Sequence, residues 1–457
     1  MSIPTPTLGR YGDYSEYRIH EQKTTNILMV DGNVSTNSQL LEAGVNARVY
    51  DKGYWGFASS PDTSARNVEL MQAQAFANAG TLSHFGRKKI LTLPSAAYHG
   101  DQHRFGRAAM TESEVMELLE TIHAYCKRKY PDLISVILRV HSDDDCKHVV
   151  TSVGSQATSW VQRAVLYYGF TMSDEHGKPV RVVSYISGKG SLADLDISME
   201  SLEPAFDTLY QHLQAKRVAV PARAGQHTVV LAPNLAGMLA HEAMGHPCEA
   251  DIVLGGAATK DLLGKRVASE MITMVDFANT YNGEELMMPV YADDEGTPAS
   301  DVIIIKNGIL QQFMNSRETA VLTDSPATGN ARAFSFGDEP LVRMRNTAIL
   351  PGNSRLEDII AGVEDGYYLM RTSNGQADTT TEFMFGITLG YEIKNGKLGR
   401  AIRDTSISGN AVKMLSSVDA VSNDMYWSCA GYCGKSQNMV TSMGGPALRA
   451  IAHLGGE

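Results

Sequence analysis

The chain has 457 residues, of which 43% are hydrophobic and 20% charged, a composition that excludes a mostly disordered protein. At about 150 residues per domain, its length predicts two to three domains. Lys and Arg number 40 against 51 Asp and Glu, and the formal net charge of −11 opposes both phosphate-driven nucleic-acid binding and docking on an anionic membrane.

Residues 1–7 show neither the basic nor the apolar region of a signal peptide. No apolar run approaches the roughly 18 residues that cross a bilayer, so the expected location is the cytoplasm. Glu16–Val34 alternates imperfectly around Asp31-Gly32, a two-residue hairpin signal. Val45–Ser59 reads as a second strand pair turning at Asp51-Lys52-Gly53. Asp62–Ala79 has helical spacing. A second helix opens on the capping box Thr111/Glu114, continues through Val115-Met116 and Leu118-Leu119, and stops before Pro131. From the β-branched run Ile134–Arg139 to Ile186 the chain reads as a short antiparallel meander. Ser201–Lys216 is a third helix, with Leu202, Phe206, Leu209 and Leu213 on one face.

At Pro221–Gly225 the composition changes, and the domain boundary is expected there, giving units 1–220 and 221–457. Beyond it, Asn307-Gly308 and Asn395-Gly396 each sit between two strand-like runs as type I′ hairpins. Helices and strands do not alternate regularly, which disfavours a parallel doubly wound sheet. The expected class is α+β: an N-terminal antiparallel sheet with helices, then a mainly antiparallel β domain with inserted helices.

One segment concentrates reactive side chains: Leu231–Asp251, LAPNLAGMLAHEAMGHPCEAD. Thr228–Leu231 reads as a strand, and Pro233 suits the first turn of a helix. Leu235, Met238, Leu239 and Glu242 then fall at i, i+3, i+4 and i+7, which places Glu242 on the apolar side. Partial desolvation there is expected to raise its pKa toward that of a general base. His241 and His246 give His-Glu-x-x-x-His, one residue longer than the zinc-peptidase His-Glu-x-x-His. On a regular helix the two histidines would point about 140° apart. They can share a metal only if the helix breaks between them. Gly245 and Pro247 supply the means, with His246 expected at or just past the helix end.

A catalytic zinc takes three protein ligands and keeps one position open, so a third donor is needed. Glu249, Asp251 and Cys248 are near in sequence, and Cys429 and Cys433 are remote candidates. Together with Cys126 and Cys146 the cysteines number five. An odd count in a chain this long argues against a disulfide framework and leaves room for one metal-binding or catalytic thiol.

Several separated motifs now coincide in order: His241–His246 with Glu249 and Asp251; Asp293-Asp294-Glu295-Gly296-Thr297-Pro298; Thr328-Gly329-Asn330; Arg345-Asn346-Thr347; and Gly431-Tyr432-Cys433-Gly434-Lys435. In this the chain resembles the TldD/PmbA family of zinc metallopeptidases, and its TldD-like members in particular. The resemblance implies zinc held by His241, His246 and Cys433, with Glu242 as general base. It also implies hydrolysis of unfolded or small peptides, such as leader peptides and antitoxins. The protein would be a dimer, either a homodimer or a heterodimer with a related subunit lacking the zinc motif. A label of DNA-gyrase modulator also attaches to the family, but the net charge of −11 gives direct DNA binding no support. The sequence departs from the family pattern in Glu249-Ala250-Asp251, in Cys248 and in Asn374-Gly375.

In the mechanism this implies, zinc acidifies a bound water, and Glu242 takes its proton and returns it to the leaving amine. Two other readings are a non-catalytic subunit of a heteromeric peptidase and a zinc amidase acting on small molecules. Asp293, Asp294 and Glu295 read as a hydrogen-bonded turn in preference to a second cation site. His141 with Asp143, Asp144, Asp145 and His148 reads as a solvated loop. Asp378, followed by three threonines, lines a site or begins a polar strand, and Met287, Met288 and Met370 read as core. Edge strands of the β-rich domain would take an extended peptide through its backbone.

Overall fold

The computed structural model describes residues 6–86, 88–104 and 106–455; residues 1–5 of the start read above, and the side chain of Asn374, lie outside the described residues. The architecture is α+β, as expected from the irregular element order.

The N-terminal sheet is built from β1 (Tyr14–Val30), β2 (Asn33–Asp51), β3 (Tyr54–Ser60), β4 (His99–Arg104), β5 (Ser135–Thr151), β6 (Gln156–Ser173) and β7 (Pro179–Lys189). Its order is β3-β2-β1-β5-β6-β4, with β7 also pairing β6, and only the β4–β6 pair is parallel. The first two turns form where local chemistry dictates. Asp31-Gly32 and Lys52-Gly53 both adopt positive φ, as a two-residue hairpin with the sheet's twist requires. The strands are longer than the sequence suggested. β2 runs unbroken from one turn to the next, and β5 to β7 form a long meander.

Helices α1 (Ala65–Leu82), α2 (Glu112–Lys129) and α3 (Met199–Arg217) follow the predicted spans, and Thr111 and Glu114 form the capping box. Val115, Leu119 and Ile122 of α2 and Leu202, Phe206 and Leu209 of α3 pack on Val136, Leu138 and Leu166 of the sheet. α1 covers Tyr17, Val45 and Val49.

The alternate residues of those strands are polar. Arg18, His20, Arg48, Asp143, Lys147 and Arg163 share the other face, and the C-terminal half packs against it. The Asp-rich run is therefore strand, not loop, and Asp143 and His148 are buried. Burial is tolerated because each charge meets an opposite one. Asp143 pairs with Arg163 at 2.6 Å, Asp145 with His20 and Lys147.

The C-terminal half begins with β8 (Gly225–Leu231). β8 lies between strands Asp365–Ala377 (parallel) and Leu448–Leu454 (antiparallel). Strand Glu382–Lys394 closes the ring by pairing with both Asp365–Ala377 and Thr405–Asn410. A second sheet joins Met274–Phe277, Val302–Lys306, Asn346–Ile349 and Ser442–Gly445. Asn307-Gly308 and Asn395-Gly396 are positive-φ hairpins at the expected positions. The segment Asp293–Pro298 is a buried turn: Asp293 Oδ1 accepts from the Glu295 and Thr297 amides, and Gly296 has φ +64°. Its Glu295 carboxylate receives Arg48 at 3.0 Å and Asp294 receives Lys147 at 3.1 Å, so this turn pins the two halves together. Met288 is buried and Met287 and Met370 pack against core clusters, as their apolar character predicts.

Candidate metal centre

After β8 the chain enters α4 (Pro233–Leu239), with Pro233 in its first turn. The helix does not break before His246. It widens into a π-helical turn over Ala240–Gly245, and the His246 amide donates to the His241 carbonyl. An i→i+5 bond stacks residue 246 over residue 241, so the extra residue in the motif is absorbed without a break. His246 has helical φ/ψ (−57°, −47°) despite Pro247, because packing outweighs the proline's local bias. The tightened turn His246–Cys248 follows.

Gly245 also has ordinary helical φ, so its role is space, not backbone freedom. A Cβ there would stand 2.2 Å from the Met344 sulfur, which is fully buried. Gly245→Ala should therefore cost about 1–3 kcal/mol by overpacking, read as a lower denaturant midpoint at unchanged slope.

The π turn brings the two imidazoles to one place, with ring centroids 5.1 Å apart and planes at 82°. Cys433 arrives from the hairpin Tyr432–Lys435/Gln437–Val440. Ligand atoms of His241, His246 and Cys433 all lie within 4.8 Å of one another. The Cys433 sulfur is 3.1 Å from His246 Nε2. Both His241 ring nitrogens are buried with no hydrogen-bond partner. Glu242 is beside them, its Oε2 3.8 Å from His246 Nε2, with a side chain 18% exposed.

Electrostatics favour the thiolate of Cys433, and although burial would lower His241 and His246, the thiolate and the neighbouring carboxylates raise both rings. Burial would raise the Cys433 thiol, but the His241 and His246 rings outweigh it and hold the thiol down at about 5. His246 is oriented by Glu249, whose Oε2 lies 2.9 Å from Nδ1 and leaves Nε2 facing Cys433. Burial would raise Glu249, yet His246 and Lys435 hold it down at about 2. Lys435 Nζ bridges Glu249 at 3.1 Å and Asp251 at 2.8 Å. Glu249 and Asp251, near candidates for a third donor, are thus engaged by Lys435 from the turn that carries Cys433.

The other cysteines differ. Burial pushes the Cys126 and Cys146 thiols up to about 12, and Cys248 and Cys429 are raised as well. Asp378 caps the turn before strand Glu382–Lys394, accepting from the Thr380 and Glu382 amides, in an exposed position.

Sequence reasoning missed a clamp on the Cys433 turn from the N-terminal sheet. Arg163 donates to the Cys429 carbonyl and, at 3.1 Å, to the Gly431 carbonyl. Tyr167 donates to the Ala430 carbonyl. Tyr432, next to Cys433, gives its hydroxyl to Asp143 at 2.8 Å and receives His141 at 2.7 Å. The available signal was the alternation of polar residues along β5.

Burial would raise the Asp143 carboxyl, but His141 and Arg163 hold it down at about 2. A lowered folded-state pKa stabilises the protein above the ordinary carboxylate range, and that contribution disappears as pH falls toward 2. Asp143→Asn should flatten the stability curve between pH about 4 and about 2, where wild type loses about 2 kcal/mol through this group. Chemical denaturation across that range measures it.

Residues 224–452 match the PmbA/TldA metallopeptidase C-terminal domain and residues 16–79 match PmbA/TldA metallopeptidase domain 1. A metalloprotease of Methanocaldococcus jannaschii is 33% identical over 445 residues, 96% of each chain. A zinc metalloprotease TldD homolog of Saccharolobus solfataricus is 37% identical over 228 residues, 50% of this chain and 51% of its own. The crystal structure of TldE from Thermococcus kodakarensis superimposes with a TM-score of 0.73 at 17% identity, covering 96% of this chain and 97% of that one, which shows the shared fold. No helix of the described residues is long and apolar enough to cross a membrane.

Proposed function

The chain belongs to the PmbA/TldD family of metallopeptidases, and we propose that it is a zinc peptidase whose metal is held by His241, His246 and Cys433. The observation that carries this is the convergence of those three donors within 4.8 Å, with Glu242 beside them. Two imidazoles and one thiolate suit zinc. The fit is supported by His241, whose buried ring nitrogens have no other partner. When bound there, zinc supplies Lewis acidity that polarises the scissile carbonyl and acidifies the attacking water.

The chain's own residues do the rest. Glu242 takes the proton of the attacking water at a carboxylate oxygen and delivers it to the leaving amine. Glu249 orients His246 through Nδ1, and Lys435, shared with Asp251, supplies the cation that lets a carboxylate be buried behind the histidine. Asp143, Arg163 and Tyr167 hold the turn that presents Cys433.

The proposed substrates are unfolded or small peptides of the leader-peptide or antitoxin kind, bound extended through backbone hydrogen bonds. The proposed assembly is a dimer, with itself or with a related subunit lacking the zinc motif, in the cytoplasm. We also place the division between the two units near residue 220. Mass spectrometry of a peptide library, with and without chelator and with and without a co-purifying partner, tests the reading. Chelator-sensitive internal cleavage is expected. Zero zinc and no cleavage would favour a non-catalytic subunit, and cleavage only of small amides would favour an amidase.

A further inference from the structure

Beside the metal-site residues lies a cleft of about 550 Å³. One side is built by the two elements that carry the donors. Asn234 and Met238 come from α4, Met238 one turn ahead of His241, and Ala430 and Gly431 lead into Cys433. The other sides come from β6, β7 and the strands Asp365–Ala377 and Glu382–Lys394, which contribute Arg181 and Arg371. The volume is that of an ordinary ligand pocket, roughly 300–1,000 Å³, enough for a few residues of extended peptide.

We propose that this cleft is a subsite for a peptide carboxylate, at the chain end or on an acidic side chain, received by Arg371 with Arg181. The inference rests on the peptidase reading and adds a substrate preference to it.

The charges in the cleft carry the argument. Arg371 Nε is buried with no hydrogen-bond partner. Among the described residues neither Arg371 nor Arg181 has a carboxylate within ion-pair distance, and Arg181 Nε donates to the neutral Thr171 hydroxyl at 3.1 Å. The one acidic side chain lining the cleft, Asp404, is taken by Lys216 at 2.6 Å. The guanidinium charge is felt nearby: burial, and then Arg371, hold His212 down at about 4. Two guanidinium groups without counter-charge, in a chain of net charge −11, make a local positive site in an otherwise negative field. A half-buried guanidinium is costly unless paired, and its planar donor fork matches a carboxylate bidentately. Met238, Met443, Tyr167 and Tyr185 line the same cleft and offer adaptable apolar contact to the neighbouring side chains.

The test uses fluorescein-labelled hexapeptides in three forms: free C-terminal acid, C-terminal amide, and amide with one internal Glu. Binding is read by fluorescence anisotropy on full-length Glu242→Gln protein, so turnover does not intrude. At least one carboxylate form should bind about 10-fold tighter than the neutral amide, and which one does so identifies the terminal or the side-chain source. Arg371→Gln in that background should bring the ratio to about one, with Arg371→Lys in between and Tm unchanged. Equal binding of all three peptides, or a ratio that survives Arg371→Gln, would overturn the subsite. Cleavage of the same peptides by the protein with Glu242 intact is scored separately. A carboxylate preference without cleavage would count against the peptidase reading alone.

Discussion

Glu242→Gln is expected to leave one metal ion per chain and to lower peptide hydrolysis by about 10²–10⁴-fold, the usual contribution of a positioned general base. Gln keeps the size of the side chain and its contact with the π turn, but it cannot accept and return the proton. Its Oε2 stands 3.8 Å from His246 Nε2 and the side chain retains 18% exposure, so a water can reach it. The loss should fall on kcat, because in the proposed mechanism the group acts on the reacting atoms and not on remote parts of the substrate. Metal content by elemental analysis and single-turnover cleavage give the two readouts. Full activity in the variant would remove Glu242 from the mechanism.

Cys433→Ala should empty the site. The thiolate is the only anionic member of the proposed donor set, and it is already poised for metal by the two histidines that hold it down at about 5. Affinity should fall by more than about 100-fold, the upper end for losing a hydrogen bond that merely supports a ligand. The fold should survive, because Arg343 grips the Cys433 backbone carbonyl at 2.8 Å and Arg163 grips that of Gly431 at 3.1 Å. Circular dichroism should therefore be unchanged while zinc and activity are both lost. Retained zinc would move the third ligand elsewhere, with Glu249 and Asp251 next to substitute.

Both predictions draw on residues that were legible in the sequence. His241, Glu242 and His246 announce themselves by residue type and spacing, and Cys433 by the motif around it. Their supporting residues were legible in part. Glu249 and Asp251 were marked as near the site, but their true partner, Lys435, is 186 and 184 residues away. The spacing predicts a break between His241 and His246, and the helix instead widens into a π turn. Sequence spacing stated the problem, an extra residue between two histidines, but it allowed two solutions. Burial of Met344 and the fit of the turn into the core selected one. The run around Asp143 reads as solvated from sequence, because charge runs usually are. The residues that neutralise it, Arg163 and His20, lie on adjacent strands.

The sequence by itself determined whatever depends on a few adjacent residues. Asp31-Gly32, Asn307-Gly308 and Asn395-Gly396 force hairpins because their backbone must turn through positive φ. Thr111 and Glu114 start a helix because their side chains satisfy its first amides. Only the tertiary structure decided that the polar face of the N-terminal sheet is an internal surface clamping the Cys433 turn. It alone brought Arg181 and Arg371 into one cleft beside His241. Those outcomes depend on cross-strand register and on packing between residues hundreds of positions apart, and no local pattern of residue types encodes which distant charge will answer which.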